Sequence, residues 1–397
     1  VLLGRTHVID FIMHHQDDIN EHSSSRLMLL PLQGLRVLDC SRVLAGPLAT
    51  MMLGDLGAHV LKVERPGAGD DTRGWGPPFD AEGRAAYFLA VNRNKKSVAL
   101  DLADDADRAV FRSLLAGADV VLENFRPQQW KRWRLEPREQ LARHPALLWC
   151  TIAGFPDAPD RPGYDFVVQA EQGWMAITGE PDGAPMKHGV ALADVLAGKD
   201  AAIAVLAALA RPRAGRSVDE RHLHVSLAGS AAAALVNVAQ NVLVSGSEAR
   251  RWGNAHANLV PYQCFDAADG ALVIAVGSDA QWTACARALD LPALADDAAL
   301  ATNAGRVAAR TRVVSALAAR LREHTVAHWT VVLDAAGVPC GRIRGVADVV
   351  AEAGGDPVLG MPPAAGGTRR SPPPRLDADG AGVRAAGWRV FDGETGS

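Results

Sequence analysis

Five cysteines in 397 residues (Cys40, Cys150, Cys264, Cys285 and Cys340) are odd in number, far apart and without a C-x-x-C pair. A disulfide framework and a zinc knuckle are therefore not expected. No apolar run approaches the ~18 residues of a membrane helix, so no span is predicted. No block of Lys or Arg stands out: 41 basic and 45 acidic residues are mixed along the chain, for a net charge of −4. Nucleic acid is thus not an expected partner, and an anionic ligand must be met by a few placed arginines. Residues 1–27 contain His14, His15, Asp17, Asp18 and three serines, without the basic start and apolar centre of a signal peptide. Residues 1–30 are read as a leader ahead of the fold, and the compartment as cytoplasmic.

Phosphate and nucleophile fingerprints are missing too. The turn after the first strand, Ser41 to Pro47, has one glycine where a dinucleotide turn needs three, which leaves Glu64 as a weak candidate ribose ligand. Neither G-x-x-x-x-G-K-[ST] nor G-x-S-x-G occurs. His222 and His224 stand two apart near an expected helix start without a third ligand, so no metal site is predicted.

What is present is the balance of a globular enzyme, 48% hydrophobic and 22% charged, long enough for at least two domains. Leu35–Cys40 reads as a strand, Gly46 to Leu56 as a helix and His59–Glu64 as a second strand, a βαβ unit. Strands at Ser97–Leu102, Ala118–Glu123 and Ala146–Ile152 and a helix at Ala106–Leu115 continue the alternation. An apolar helix follows from Asp194 to Ala210, and another from Val225 to Val244. Beyond Ser245 a hairpin, Tyr262–Phe265 with Ala271–Val276, and helices near Trp282–Leu289 and Ala308–Leu321 suggest a smaller α+β unit. The expected fold is α/β. Its parts are a large Rossmann-like domain with a parallel sheet (31–215), a linking helix (216–250), a small domain (251–330), and a return segment and tail (331–397).

Asp194 is the only acid between Gly189 and Gly198. By position it reads first as the N-cap of the helix that follows, a place compatible with a carboxylate kept ionised by a helix N-terminus for nucleophilic work.

Several blocks resemble family III CoA-transferases. They are Leu35 to Arg73, with its A-G-P turn and K-V-E-R-P-G-A-G-D-D-T-R ending, V-N-R-N-K-K-S at 91–97, and E-N-F-R-P at 123–127. R-P-G-Y-D at 161–165, T-G-E-P at 178–181, K-H-G-V-A-L-A-D-V-L-A-G at 187–198, Gly253-Asn254 and Pro261-Tyr262 follow in order. The resemblance spans about Leu32 to Val358. It implies that Asp194 is the catalytic aspartate, passing CoA between carboxylic acids through an anhydride and an aspartyl-CoA thioester. CoA and acyl-CoA are then substrates, with no permanently bound cofactor or metal. The resemblance also implies an interlocked homodimer. Carried over position by position, Leu44 and Ala45 match the turn at the pantetheine arm, and Arg65 and Arg132 the phosphate arginines. Leu100, Asn124 and Phe125 match the nucleotide wall, with Arg126 and Tyr164 in the same set. Trp75, Gly253 and Asn254 match the acyl pocket.

Three departures bear on specificity. The four-glycine run of formyl-CoA-specific members is replaced by Arg251 to His256, and Ala103 stands where a phosphate-binding lysine is frequent. The superfamily's α-methylacyl-CoA racemases need two bases about the α-carbon. Their G-H-D is Gly163-Tyr164-Asp165 here, and their small-domain glutamate is replaced by Gly277-Ser278-Asp279. Transferase activity is expected, with racemase and non-catalytic CoA binding as the alternatives.

Overall fold

Strands such as Val120-Val121-Leu122 are apolar on both faces and are stable where helices cover both sides of a sheet. The computed structural model describes residues 30–212, 215–352 and 367–393. Residues 1–29 of the expected leader (1–30) and part of the expected tail lie outside them. The chain divides into two compact units. One holds residues 30–153, 197–212, 215–225 and 367–393, and the other holds Gly154–Leu196 and 226–352. This division departs from the continuous blocks drawn from the sequence, because a strand after residue 221 rejoins the sheet and residues 154–196 group with the second unit.

The first unit has six strands, β1 (Arg36–Cys40), β2 (His59–Glu64), β3 (Lys95–Ala99), β4 (Val120–Glu123), β5 (Leu148–Ala153) and β6 (His222–Ser226). Their order is β3-β2-β1-β4-β5-β6, and β1 to β5 pair in parallel. This is the doubly wound arrangement, whose direction reverses between β1 and β4. The helices used below are α1 (Ala45–Asp55), α2 (Asp105–Ala116), α3 (Asp165–Glu171), α4 (Leu192–Leu209), α5 (Leu227–Ala233), α6 (Val236–Ser245), α7 (Asp279–Ala288), α8 (Arg310–Leu321) and α9 (Val326–Ala335). Asp104 starts α2 by accepting the N–H groups of Ala106 and Asp107. Phe111, Leu114 and Leu115 of α2 pack with Leu38, Leu61, Val121 and Trp149 of the sheet.

β3 lies two to three residues earlier than expected. Leu100 still donates to Glu64 O (2.8 Å), but Leu100 to Leu102 then leave the sheet to line a pocket. β6 was hidden behind its histidines, read as lying near a helix start. The exposed edge of β3 is closed by the chain's own later segment, a common device against edge pairing. Asp377 Oδ1 accepts Ala99 N–H (2.7 Å), Asp379 Oδ2 accepts Ser97 N–H (2.9 Å), and Trp388 Nε1 donates to Leu114 O (2.9 Å).

The second unit carries a three-stranded antiparallel sheet, β7 (Tyr262–Asp266), β8 (Ala271–Ala275) and β9 (Cys340–Arg342), under α7, α8 and α9. Its core joins Phe265, Ile274, Trp282, Leu317 and Trp329. The single helix expected over Val225 to Val244 is instead the end of β6 followed by α5 and α6, bent by 65°. Ser226 Oγ caps α5 at Gly229 N–H (3.0 Å), and Val236 opens α6 with φ +33°.

Beneath the carboxyl ends of β1 to β3 lies a buried charge cluster. Lys62 reaches Asp70 (3.0 Å), Asp39 (3.9 Å) and Ser41 O (2.8 Å), while Lys95 reaches Asp39, Pro47 O and Asn92. Burial opposes the charge on Lys62, but Asp39 and Asp70 outweigh it and raise its pKa. For Lys95 burial prevails, pulling it down to about 8. Burial likewise opposes ionisation of Asp39 and Asp70, yet the lysines hold both below the usual carboxylate range. Their stabilisation is therefore present above pH ~4 and lost as pH falls below it. Lys62→Met strands the buried Asp70 carboxylate, while Asp39 keeps Lys95, and is expected to cost about 3–5 kcal/mol at pH 7 in urea unfolding. That deficit should shrink toward pH 4, where the stranded carboxyl takes up a proton.

Candidate active site

In the first unit, a cavity of about 170 Å³ opens at the carboxyl ends of the strands beside the β1/β4 reversal. It is lined by Ser41 and Arg42 after β1, Lys62 to Arg65 at the end of β2, Leu100 to Leu102 after β3, and Phe125, Gln129 and Trp133 after β4. Drug-sized ligands occupy roughly 300 Å³ or more. This cavity therefore takes one ring of a larger ligand. Phe125 stands edge-on to Trp133 and Trp130, with ring centroids 5.0 and 5.5 Å away, and Arg42 lies over its face. Arg42 and Gln129 continue into a shallower hollow rimmed by Arg126, Gln128 and Arg132. Three exposed arginine positions at an apolar slot suit an anionic ligand with a flat ring.

The turn after β1 is held by two side chains. Asn124 Oδ1 accepts Arg42 N–H (3.0 Å) and its Nδ2 donates to Arg42 O (2.8 Å), imitating a strand partner. Val43 sits at φ +71°, a costly conformation for a β-branched residue, with its N–H 3.3 Å from both oxygens of Asp70. Leu44 and Ala45 then start α1. Gly198 lies against this turn: a Cβ there would come within 2.5 Å of Ala45 O. Glu123, buried without a cationic partner among the described residues, accepts Thr151 Oγ1–H (2.6 Å) and Phe125 N–H (2.7 Å), and burial raises its pKa.

The structure gathers Arg65, Leu100 and Phe125 around the cavity and Arg126 and Arg132 around the hollow beside it. Arg65 also pairs with Asp71. Asn124 braces the turn instead of lining the cavity, and Trp75, 40% exposed, packs edge-on to Tyr87. Sequence reasoning missed Arg42, Gln129 and Trp133, although Arg42 lies in the turn that a switch-point site uses. Glu64 is occupied by both arms of Arg73, by Ser97 and by Asp70 N–H, which leaves it no acceptor position for a ribose. The His222 and His224 rings lie 4.0 Å apart, and burial lowers His222 to about 4. No cluster among the described residues is arranged to hold a metal ion.

Asp194 stands in the first turn of α4, two residues inside the helix, so the N-cap reading is corrected: α4 begins at Leu192. The first-turn N–H of Ala193 is satisfied from outside the helix by Asp165 Oδ1 (2.8 Å). Asp165 opens α3, and Gln169 one turn on donates to its Oδ2 (2.7 Å). Just before it, Gly163 lets the backbone pass close to Gly154, since a Cβ there would lie 2.3 Å from Gly154 Cα. Tyr164 between them is 59% exposed. Asp194 has no ion-pair partner among the described residues, and burial, aided by the charge of Asp165, pushes its carboxyl up to about 7. The helix terminus does not keep it as acidic as an ordinary carboxylate. Gly253, at φ +59°, donates to Gly179 O (3.1 Å), and Asn254 beside it is exposed.

The model of CoA-transferase family III matches residues 32–356. The chain is 44% identical over 329 residues to the succinyl-CoA:glutarate CoA-transferase of Mus musculus, covering 81% of this chain and 74% of that protein. It is 35% identical to the acetyl-CoA:oxalate CoA-transferase of Acetobacter aceti, covering 89% and 95%. Among solved structures, a CAIB/BAIF family protein from Brucella suis matches with a TM-score of 0.77 and 39% identity, over 90% of this chain and 99% of that one. With its doubly wound sheet and its isolated aspartate at the head of an apolar helix, the chain belongs to CoA-transferase family III and is an acyl-CoA:carboxylate CoA-transferase.

Proposed function

We propose that Asp194 is the nucleophile of a two-stage CoA relay. Its carboxylate attacks the thioester carbonyl of the donor, the C–S bond breaks, and CoA thiolate leaves a mixed anhydride on the side chain. The thiolate then attacks the Asp194 carbonyl carbon, and the donor acid departs from an aspartyl-CoA thioester. The acceptor carboxylate runs the sequence in reverse and restores Asp194. The observation that carries this reading is a carboxyl in a helix's first turn, among apolar neighbours and free of a cationic partner among the described residues, in a chain of this family. A committed ion pair would blunt its attack.

The cavity walled by Leu100 and Phe125 is assigned to the CoA nucleotide, and Arg42, Arg65, Arg126 and Arg132 to its phosphates. Leu44, Ala45, Asn124 and Tyr164 are assigned to the rest of the cofactor-like substrate, and Trp75, Gly253 and Asn254 to the acyl group. The relatives are named for succinyl-CoA with glutarate and for oxalate, which favours small dicarboxylic acids on this chain as well. No permanently bound cofactor enters this chemistry. Five cysteines without a disulfide suit a reducing cytoplasm, and no single described helix is long and apolar enough to cross a membrane.

Helix α6 buries none of its residues within the chain and exposes Leu243 (76%) and Val244 (79%), a surface suited to a second copy in an interlocked homodimer. Equilibrium sedimentation at nanomolar concentration should find a dimer; a monomer there refutes it.

Proton abstraction is disfavoured. Asp279 is paired with Arg306 (2.8 Å), and Tyr164 places a phenol where the racemases carry a histidine base. A 2-methylacyl-CoA incubated with the enzyme in D₂O should remain unlabelled at the α-carbon by mass spectrometry, whereas steady enzyme-dependent uptake would favour the racemase.

Asp194→Asn keeps volume and helix propensity but cannot form the anhydride. It is expected to bind CoA by calorimetry and to lose nearly all turnover; near-normal turnover would end the mechanism, and binding without any wild-type turnover would leave a CoA-binding protein. Because the folded pKa of Asp194 is raised, wild-type stability falls as pH rises from ~4 toward 7. The Asn variant lacks that penalty, so its thermal midpoint should exceed the wild type's at pH 8 and converge with it near pH 4.

A further inference from the structure

Asp165 poses a question that helix capping does not answer. Its Oδ1 accepts the Ala193 N–H and its Oδ2 accepts from Gln169 Nε2, while Gln169 Oε1 accepts the His188 N–H (2.9 Å). Asp165 and Gln169 are both buried, so the carboxylate is fixed between α3, the stretch before α4, and α4 itself. Asparagine or serine caps a helix as well as aspartate does. A buried anion without an ion-pair partner among the described residues is the most costly way to supply that oxygen. The charge therefore needs a purpose of its own, and the side chain it adjoins is Asp194.

We propose, building on Asp194 as the nucleophile, that Asp165 is a positioning residue whose fixed negative charge destabilises the free Asp194 carboxylate relative to its acylated forms. Charge balance through the relay makes this effect directional. When the Asp194 oxygen attacks the thioester, the C–O bond forms, the C–S bond breaks, and the negative charge passes from Asp194 to the departing sulfur. In the next step it passes from sulfur to the released acid. The anhydride and the aspartyl thioester are both neutral at Asp194, so repulsion from Asp165 acts on the free enzyme alone and pushes it toward the covalent states. The raised proton affinity of Asp194, owed to burial and then to Asp165, has the same origin. Lys187 and His188 precede the helix and Lys199 and Asp200 follow Asp194 on it, but the charge that acts on Asp194 is that of Asp165.

The test compares Asp165→Asn with Gln169→Leu in the full chain. Asn keeps the acceptor for Ala193 but turns Gln169 round and loses the His188 bond; Gln169→Leu loses the His188 bond and the bond to Asp165 as well, and retains the charge. With succinyl-CoA as probe, Asp165→Asn should shift the acid limb of kcat/KM to lower pH by about one unit. It should also lower the fraction of enzyme trapped as covalent adduct, read by intact mass, by roughly tenfold, with KM within about twofold of wild type. Gln169→Leu should leave the pH midpoint and the trapped fraction in place. If Asp165→Asn does not fold, Asp165→Ser takes its place with the same expectations. An unchanged midpoint and trapped fraction in the charge-removing variant, or equal effects in Gln169→Leu, overturns the proposal and leaves Asp165 a cap. If wild-type enzyme shows no adduct on the peptide holding Asp194, the nucleophile assignment fails first, a result distinct from an adduct that forms equally with and without Asp165.

Discussion

The site in the first unit depends on two buried lysines, Lys62 within β2 and Lys95 at the start of the edge strand β3. Lys62 and Lys95 neutralise Asp39 and Asp70 where no water reaches, and those carboxylates have structural duties: Asp39 also accepts Thr50 Oγ1–H (2.8 Å), and Asp70 holds the strained Val43. Without Lys62 the Asp70 carboxylate has no reason to stay buried, and the turn that begins α1 loses its support. An ion cluster of this kind adds little net stability compared with apolar packing. Its return is a specified backbone at the one place where three strands end together.

The chain uses carboxylates in opposite ways. Asp39, Asp70 and Glu64 are saturated with donors and cations and are inert. Asp194 has no ion-pair partner among the described residues and its pKa is pushed up to about 7, while Glu123, whose pKa burial raises, serves as an anchor for Phe125 N–H. The same side-chain chemistry thus becomes frame, anchor or, as proposed for Asp194, nucleophile according to what surrounds it, which is how a protein separates acids of nearly equal intrinsic strength.

Much of this was legible in the sequence. Runs such as His59–Glu64 and Ala106–Leu115 announce themselves through apolar content, and their bounds match the structure closely. β6 and β9 were not legible, because β6 alternates histidines with apolar residues at a sheet edge and β9 has three residues. Asp194 was recognisable as the only acid between Gly189 and Gly198, but its place inside the first turn was not, since the group that caps α4 is Asp165, distant in sequence. For the same reason composition could not reveal that Asn124 braces the turn at Arg42, or that Glu64 is fully spoken for. Long-range side-chain bonds leave no periodic trace.

The closing of β3 by Asp377 and Asp379 has a consequence for synthesis. Ribosomes make the chain from its amino end, so the parallel edge of β3 stays open while more than 270 residues are added, Ala99 and Asp377 being 278 apart. Through that interval the nascent sheet presents unpaired amides to any neighbouring strand. Folding of the first unit is therefore completed last by residues made near the end, and a ribosome that stalls before Asp377 releases a product with a sticky flank, a natural client for chaperones.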